Sequence, residues 1–175
     1  YNLKKNSFQG DAILPVLMKD FGIKTTFTKT GITIKKESMP IFTAKNPFRF
    51  DFKNNPDLAQ TFLVICAGLK TPCSITGLDN LTIKETDRIK AMQTELLKIG
   101  AILKKENDTF SFEWKDEMHH SLIFETYQDH RMAMSLAPLV LLFKEITINN
   151  PEVVSKSYPG YWNDFKNAGI NILPS

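Results

Sequence analysis

Two stretches of this chain place the same kinds of residue at the same distances, and that recurrence limits the possible folds most strongly. Asp57 stands 27 positions before Lys84, and Asp129 stands 27 positions before Lys156. In both cases an acid opens a largely apolar stretch, 58–69 or 130–143. A short strand-like run follows, 73–76 or 145–148, and a loop delivers the lysine. Three helix ends also close alike, at Phe21-Gly22-Ile23, Ile99-Gly100-Ala101 and Ala168-Gly169-Ile170. A recurrence of about 70 residues is longer than a solenoid repeat. It fits duplicated β-α-β-α-β-β subdomains packed side by side, an α/β (α+β) fold holding about two and a half such units.

Taken in order, the first unit (about 1–44) predicts a helix over 13–21 capped by Asp11, with Pro15 tolerated in its first turn. Strands at 23–29 and 32–36 then turn at Thr30-Gly31. The second (about 45–117) predicts a strand at 48–52, the apolar helix 58–69, a strand at 73–76, an amphipathic helix and a hairpin of 101–105 with 109–114. The apolar helix is hydrophobic all round, so it belongs inside. The third (about 118–175) predicts a strand at 122–125, an apolar helix from Tyr127 through Phe143 bent by Pro138, and a strand at 145–148. A helix starting near Pro159 and a last strand at 170–173 complete it. At 175 residues, 42% of them hydrophobic, the chain can bury a full core as one domain. The first unit lacks an opening strand and helix, and Tyr1 stands where an initiator Met would. Both give the expectation of a chain cut at its N-terminus.

Lys84-Glu85-Thr86-Asp87-Arg88 directly precedes the amphipathic pattern of Ile89, Met92, Leu96 and Ile99, with Lys90, Glu95 and Lys98 off that stripe. The cluster is expected to form the first turn, with Lys84 and Arg88 pointing the same way. Free backbone N–H groups and two cations there suit a phosphate or carboxylate. Equivalent positions in equivalent units tend to meet around a local axis. One surface would then gather Lys84, Arg88, Arg131 and Lys156 as cations, with Asp57 and Glu85 as carboxylates. Anion binding combined with proton transfer needs that mixture. Taken singly, these residues also have plainer readings. Asp57 and Asp129 can be N-caps, His130 a capping or packing residue, Lys156 ordinary surface and Asn80 a turn former.

Composition narrows the classes further. A net charge of +3 and a pI near 8.8 permit anionic ligands without indicating a nucleic-acid partner. Cys66 and Cys73 have no metal-ligand spacing and read as buried thiols in a reducing, cytoplasmic setting. The apolar run 136–143 is too short to span a bilayer.

The blocks Asn80-Leu81-Thr82-Ile83-Lys84-Glu85-Thr86-Asp87-Arg88, Asp129-His130-Arg131-Met132-Ala133-Met134 and Ser155-Lys156-Ser157-Tyr158-Pro159 resemble the signatures of the 5-enolpyruvylshikimate-3-phosphate synthase family. Pro56-Asp57-Leu58 and Asn6-Ser7-Phe8-Gln9-Gly10-Asp11 match in order and approximate spacing. The sister UDP-N-acetylglucosamine enolpyruvyl transferases share the fold but lack the first pair of blocks. The resemblance implies transfer of the enolpyruvyl group of phosphoenolpyruvate to the 5-hydroxyl of shikimate 3-phosphate. Catalytic roles would fall to Asp57, Glu85 and His130. Asp57, Asn80 and Lys84 would hold shikimate 3-phosphate, and Arg88, Arg131 and Lys156 would hold phosphoenolpyruvate. No metal or organic cofactor is implied. The family has two domains with substrates between them, and this chain would cover most of the C-terminal one. Its partner would be the missing N-terminal domain, and the chain alone would have negligible activity. The alternative is a stand-alone anion-binding or regulatory module of the same fold. Retention of both acids, Asp57 and Glu85, speaks against that alternative.

Overall fold

The computed structural model of the chain describes residues 7–82, 87–116 and 121–173. It opens with a 3-10 turn, Gly10–Ile13, that runs into α1 (Leu14–Asp20). Asp11 therefore lies inside that turn and does not cap α1, contrary to expectation, whereas Pro15 sits in the first turn as its fixed φ favours. β1 (Ile23–Phe27) and β2 (Ile32–Lys36) form an antiparallel hairpin, with Ile23 opposite Lys36.

The second unit shows the whole expected order: β3 (Phe48–Asp51), α2 (Pro56–Gly68), β4 (Cys73–Thr76), α3 (Arg88–Leu97), β5 (Ala101–Glu106) and β6 (Thr109–Trp114). Its four strands run β3-β4-β6-β5 across the sheet. β3 and β4 are parallel because α2 provides the crossover between them, whereas β6 runs antiparallel to both neighbours. α2 is buried on most sides, as its composition requires. Phe62 on α2 stacks on Phe48 with ring centroids 5.5 Å apart, and Phe21 reaches Phe48 at 5.0 Å. One continuous core runs from Leu17 through Leu139.

α3 begins later than its sequence pattern predicts. Asp87 accepts the Lys90 amide N–H at 3.1 Å and so caps the helix at Arg88. The apolar stripe of Ile89, Met92, Leu96 and Ile99 is buried as expected. Glu95, read as lying off that stripe, is fully buried too. Lys84 and Glu85 lie outside the described residues, and so does the shared direction expected of Lys84 and Arg88.

The third unit departs most from its expected shape. β7 (Ile123–Phe124) pairs in parallel with β8 (Thr147–Ile148) around α4 (His130–Leu136). Tyr127 and Gln128 have φ of +53° and +58°, so the helix cannot begin there, and Asp129 caps it instead. Pro138 does more than bend the helix. It lacks an N–H, and its ring would meet the carbonyl four residues back, so α4 ends and continues as a 3-10 segment, Ala137–Leu141. Another 3-10 segment, Pro151–Lys156, leads to α5 (Tyr161–Asn167), and residues 170–173 form no strand. No described helix is long and apolar enough to cross a membrane. Cys66 and Cys73 are free and buried, and a hydrogen bond between them, reinforced by burial, pushes the Cys66 thiol up.

The loop from β4 toward α3 depends on Gly77. Its φ is +74°, and an added Cβ would sit 2.1 Å from Asp51 Oδ1 and 2.3 Å from the Lys53 nitrogen. Gly31, in the hairpin, has nothing within 4 Å. Gly77→Ala is expected to cost more than about 1 kcal/mol in urea unfolding. Gly31→Ala is expected to stay within about 0.5 kcal/mol. Equal effects at the two positions would contradict this view of the loop.

Candidate functional site

The starts of α2, α3 and α4 carry most of the charged residues singled out in the sequence, and three contacts tie them together. Arg88, first in α3, lies with its side chain only 4% exposed and meets the fully buried Asp129 that caps α4. Its Nε donates to Asp129 Oδ2 at 2.6 Å and its Nη2 to Oδ1 at 3.3 Å. Asp129 Oδ1 also accepts the Arg131 amide N–H at 2.8 Å. One carboxylate therefore serves as both a helix cap and the counter-charge of a buried guanidinium. The cap reading of Asp129 is right but covers half of what it does.

The second contact joins α2 to α4. Arg131 Nη2 lies 2.9 Å from Asp57 Oδ2, and its Nη1 donates to the Asp57 carbonyl at 3.1 Å. Asp57 is in the first turn of α2, past the capping position, and its carboxylate is engaged by Arg131. Unlike the buried pair, these side chains are 43% and 32% exposed, so a ligand can reach them. Beneath them, buried Gln60 donates to Met132 Sδ at 3.1 Å, which locks the same two helices. The third contact is long: Lys156 Nζ approaches the Gln128 carbonyl at 3.5 Å from an exposed position.

Asp57 and Arg131 meet where both are partly exposed, whereas Arg88, expected on the same surface, turns inward to Asp129, and Lys156 reaches the Gln128 carbonyl. His130 is half-buried at the start of α4. Asn80 is exposed in a 3-10 turn, Asp79–Leu81, and makes no hydrogen bond to these four among the described residues. Lys84 and Glu85 remain outside the described residues. No group of three or more His, Cys, Asp or Glu able to hold a metal ion occurs among the described residues. A shallow cavity of about 420 Å³ opens elsewhere, lined by residues including Pro15, Lys19, Lys24 and Glu37, and none of the site residues lines it.

Sequence reasoning missed Glu95 and Tyr127, which are hydrogen-bonded to each other at 2.7 Å. The available signal was that Glu95 lies seven residues after Arg88, on nearly the same side of the helix.

The geometry can be set beside known proteins. The family model for EPSP synthase (3-phosphoshikimate 1-carboxyvinyltransferase) matches residues 1–165. A 3-phosphoshikimate 1-carboxyvinyltransferase of Bacteroides fragilis (strain YCH46) is 45% identical over 173 residues, covering 97% of this chain and 41% of the relative. One from Idiomarina loihiensis is 32% identical over 161 residues, 92% of this chain and 36% of the relative. The solved EPSP synthase of Acinetobacter baumannii superposes with a TM-score of 0.64 at 21% identity, covering 87% of this chain and 38% of that one, which supports the fold. The chain therefore spans about two fifths of the length of the relatives it matches.

The two ion pairs differ in burial, so they are expected to differ in energy. Asp129→Asn keeps a capable cap yet leaves Arg88 buried without its counter-charge, which costs about 3–5 kcal/mol. Arg131→Ala removes a half-exposed pair and costs about 1 kcal/mol or less. Urea unfolding of both variants checks the contrast, and comparable losses would contradict it.

Proposed function

The chain belongs to the EPSP synthase (3-phosphoshikimate 1-carboxyvinyltransferase) family, and from that premise we propose that it carries part of one active site. That site moves the enolpyruvyl group of phosphoenolpyruvate to the 5-hydroxyl of shikimate 3-phosphate and releases phosphate. The observation that carries this reading is the reachable Asp57–Arg131 pair, an acid and a cation delivered from two successive units. Its support from the comparisons is the family match over 1–165 and the 45% identity to a named transferase.

The reaction needs two proton movements in addition and two more in elimination. Addition removes the proton of the 5-hydroxyl and adds one to the methylene carbon, giving a tetrahedral intermediate. Elimination takes a proton back from the methyl carbon as the C–O bond to phosphate breaks, and the proton first removed from the hydroxyl leaves on the phosphate. Asp57 is the proposed base for the hydroxyl, and Glu85 the proposed partner of the methylene carbon, with His130 in a supporting role. Asn80 and Lys84 join Asp57 on shikimate 3-phosphate. Arg131 and Lys156 grip phosphoenolpyruvate, whose carboxylate and phosphate oxygens suit a guanidinium fork. Phosphoenolpyruvate then competes with Asp57 for Arg131, and its binding releases Asp57 to act as a base. A guanidinium has five N–H donors and Asp129 takes two from Arg88, so Arg88 can contact the same ligand through the others. With 4% of that side chain exposed, contact requires a rearrangement around it.

We take the 175 residues as one domain of units at about 1–44, 45–117 and 118–175, a reading supported by α4, which packs into the core of Leu17 to Leu139 and also against the smaller cluster of Val153 and Val154. Its proposed partner is the remaining part of a two-domain enzyme, and its proposed setting is the cytoplasm, where buried free thiols persist.

The test is a phosphate-release assay with both substrates. This chain alone is expected to show background turnover, because binding by both domains and their closure complete the site. Placed in the Bacteroides fragilis relative instead of the matching region, it is expected to support turnover. In that hybrid, Arg131→Ala should lower kcat/KM by about 10²-fold or more. Full-rate turnover by the chain alone, or an indifferent Arg131→Ala hybrid, would overturn the proposal.

A further inference from the structure

Glu95 is a fully buried carboxylate that the proposed chemistry does not use, and it holds the chain just ahead of the site. Its Oε1 accepts the Tyr127 hydroxyl at 2.7 Å. Its Oε2 accepts the Glu125 amide N–H at 3.0 Å and the Lys98 ammonium at 2.6 Å. Lys98 also donates to the Ile123 carbonyl at 2.7 Å. One side chain on α3 therefore fixes positions 123, 125 and 127, directly or through Lys98.

The chain it fixes is strained where the fixing ends. Tyr127 and Gln128 are successive non-glycine residues in the left-handed region, at φ +53° and +58°. Such conformations persist only where the surroundings over-determine them. The next groups along the chain are the Gln128 carbonyl that Lys156 approaches, Asp129 that receives Arg88, and Arg131 that meets Asp57. Burial, and then the bond to Glu95, push the Tyr127 phenol up to about 12, so it remains a hydrogen-bond donor through the neutral range.

We propose that Glu95, acting through Tyr127, is a positioning residue: it holds the left-handed step at 127–128 and thereby aims Arg131, and through the Gln128 carbonyl Lys156, at the phosphoenolpyruvate site. The anion it serves rests on the function proposed above, while its effect on 128–131 does not. A purely structural Glu95 would contribute stability and leave the arm's conformation to its other contacts.

Tyr127→Phe is the test because the residue is 37% exposed and the change removes only a hydroxyl, so the fold is expected to survive. Two readouts are taken on this chain: amide shifts of 128–131 without ligand, and the Kd for phosphoenolpyruvate with shikimate 3-phosphate present, from amide-shift titration. The expected result is displaced 128–131 signals and a Kd raised at least about fivefold, with Tm lowered by only a few degrees. Unchanged 128–131 signals overturn the inference whether or not the ligand binds. Displaced signals with an unchanged Kd overturn its claim on the ligand. Displaced signals in a chain whose unsubstituted form fails to bind support the positioning role, and the turnover of the hybrid then decides the proposed function.

Discussion

Arg88 turns into the protein interior at the first turn of α3, and Asp129 makes that placement tolerable. A buried guanidinium without a counter-charge would cost several kcal/mol. Asp129 meets it through two hydrogen bonds while also capping α4. The pair therefore does more than neutralise charge: it fixes the start of a helix in one unit against the start of a helix in the next. Once those two starts are joined, Arg131, two residues beyond Asp129, is carried to Asp57 at the head of α2. The meeting of Arg131 with Asp57 depends on this buried contact.

Burial divides the labour between the two ion pairs. The inner pair is shielded from water and from ligands, so its role is to orient. The outer pair is held on the same framework but stays partly exposed, so its partners can be exchanged. A site that binds an anion and then needs a free base benefits from this division, because the incoming anion takes the cation and releases the acid. The left-handed step at Tyr127 and Gln128 extends the same logic along the chain. Local strain there is held by Glu95, which is as deeply buried as Asp129.

Much of the fold was legible because it follows from short-range rules. Gly22, Gly100 and Gly169 all take positive φ at helix ends, as the recurring helix-stop pattern requires. The apolar face of α3 and the nearly all-round burial of α2 followed from periodicity. What periodicity passed over were local caps and breaks as well as features set by tertiary partners. Asp87 and Asp129 moved two helix starts because each side chain found a nearby amide N–H. Pro138 converted the end of α4 to 3-10 geometry. Residues 170–173 formed no strand despite an apolar pattern. Of the site, the meeting of Asp57 with Arg131 accords with the expectation that equivalent helix starts come together. The inward turn of Arg88 was not legible, because it depends on Asp129, 41 residues away. Glu95 was hidden for a similar reason, since its partners Glu125 and Tyr127 lie in the following unit.

The most direct test of a preformed cationic site is to follow side-chain signals of this chain as phosphoenolpyruvate is added, alone and with shikimate 3-phosphate. The account predicts that the Arg131 guanidinium and Lys156 ammonium signals move together. The Asp57 carboxyl signal should move with them as Asp57 loses its partner, while Lys19 and Lys24 beside the distant cavity stay still. A folded sample in which Arg131 and Lys156 do not respond, or in which Lys19 and Lys24 respond in their place, would contradict it.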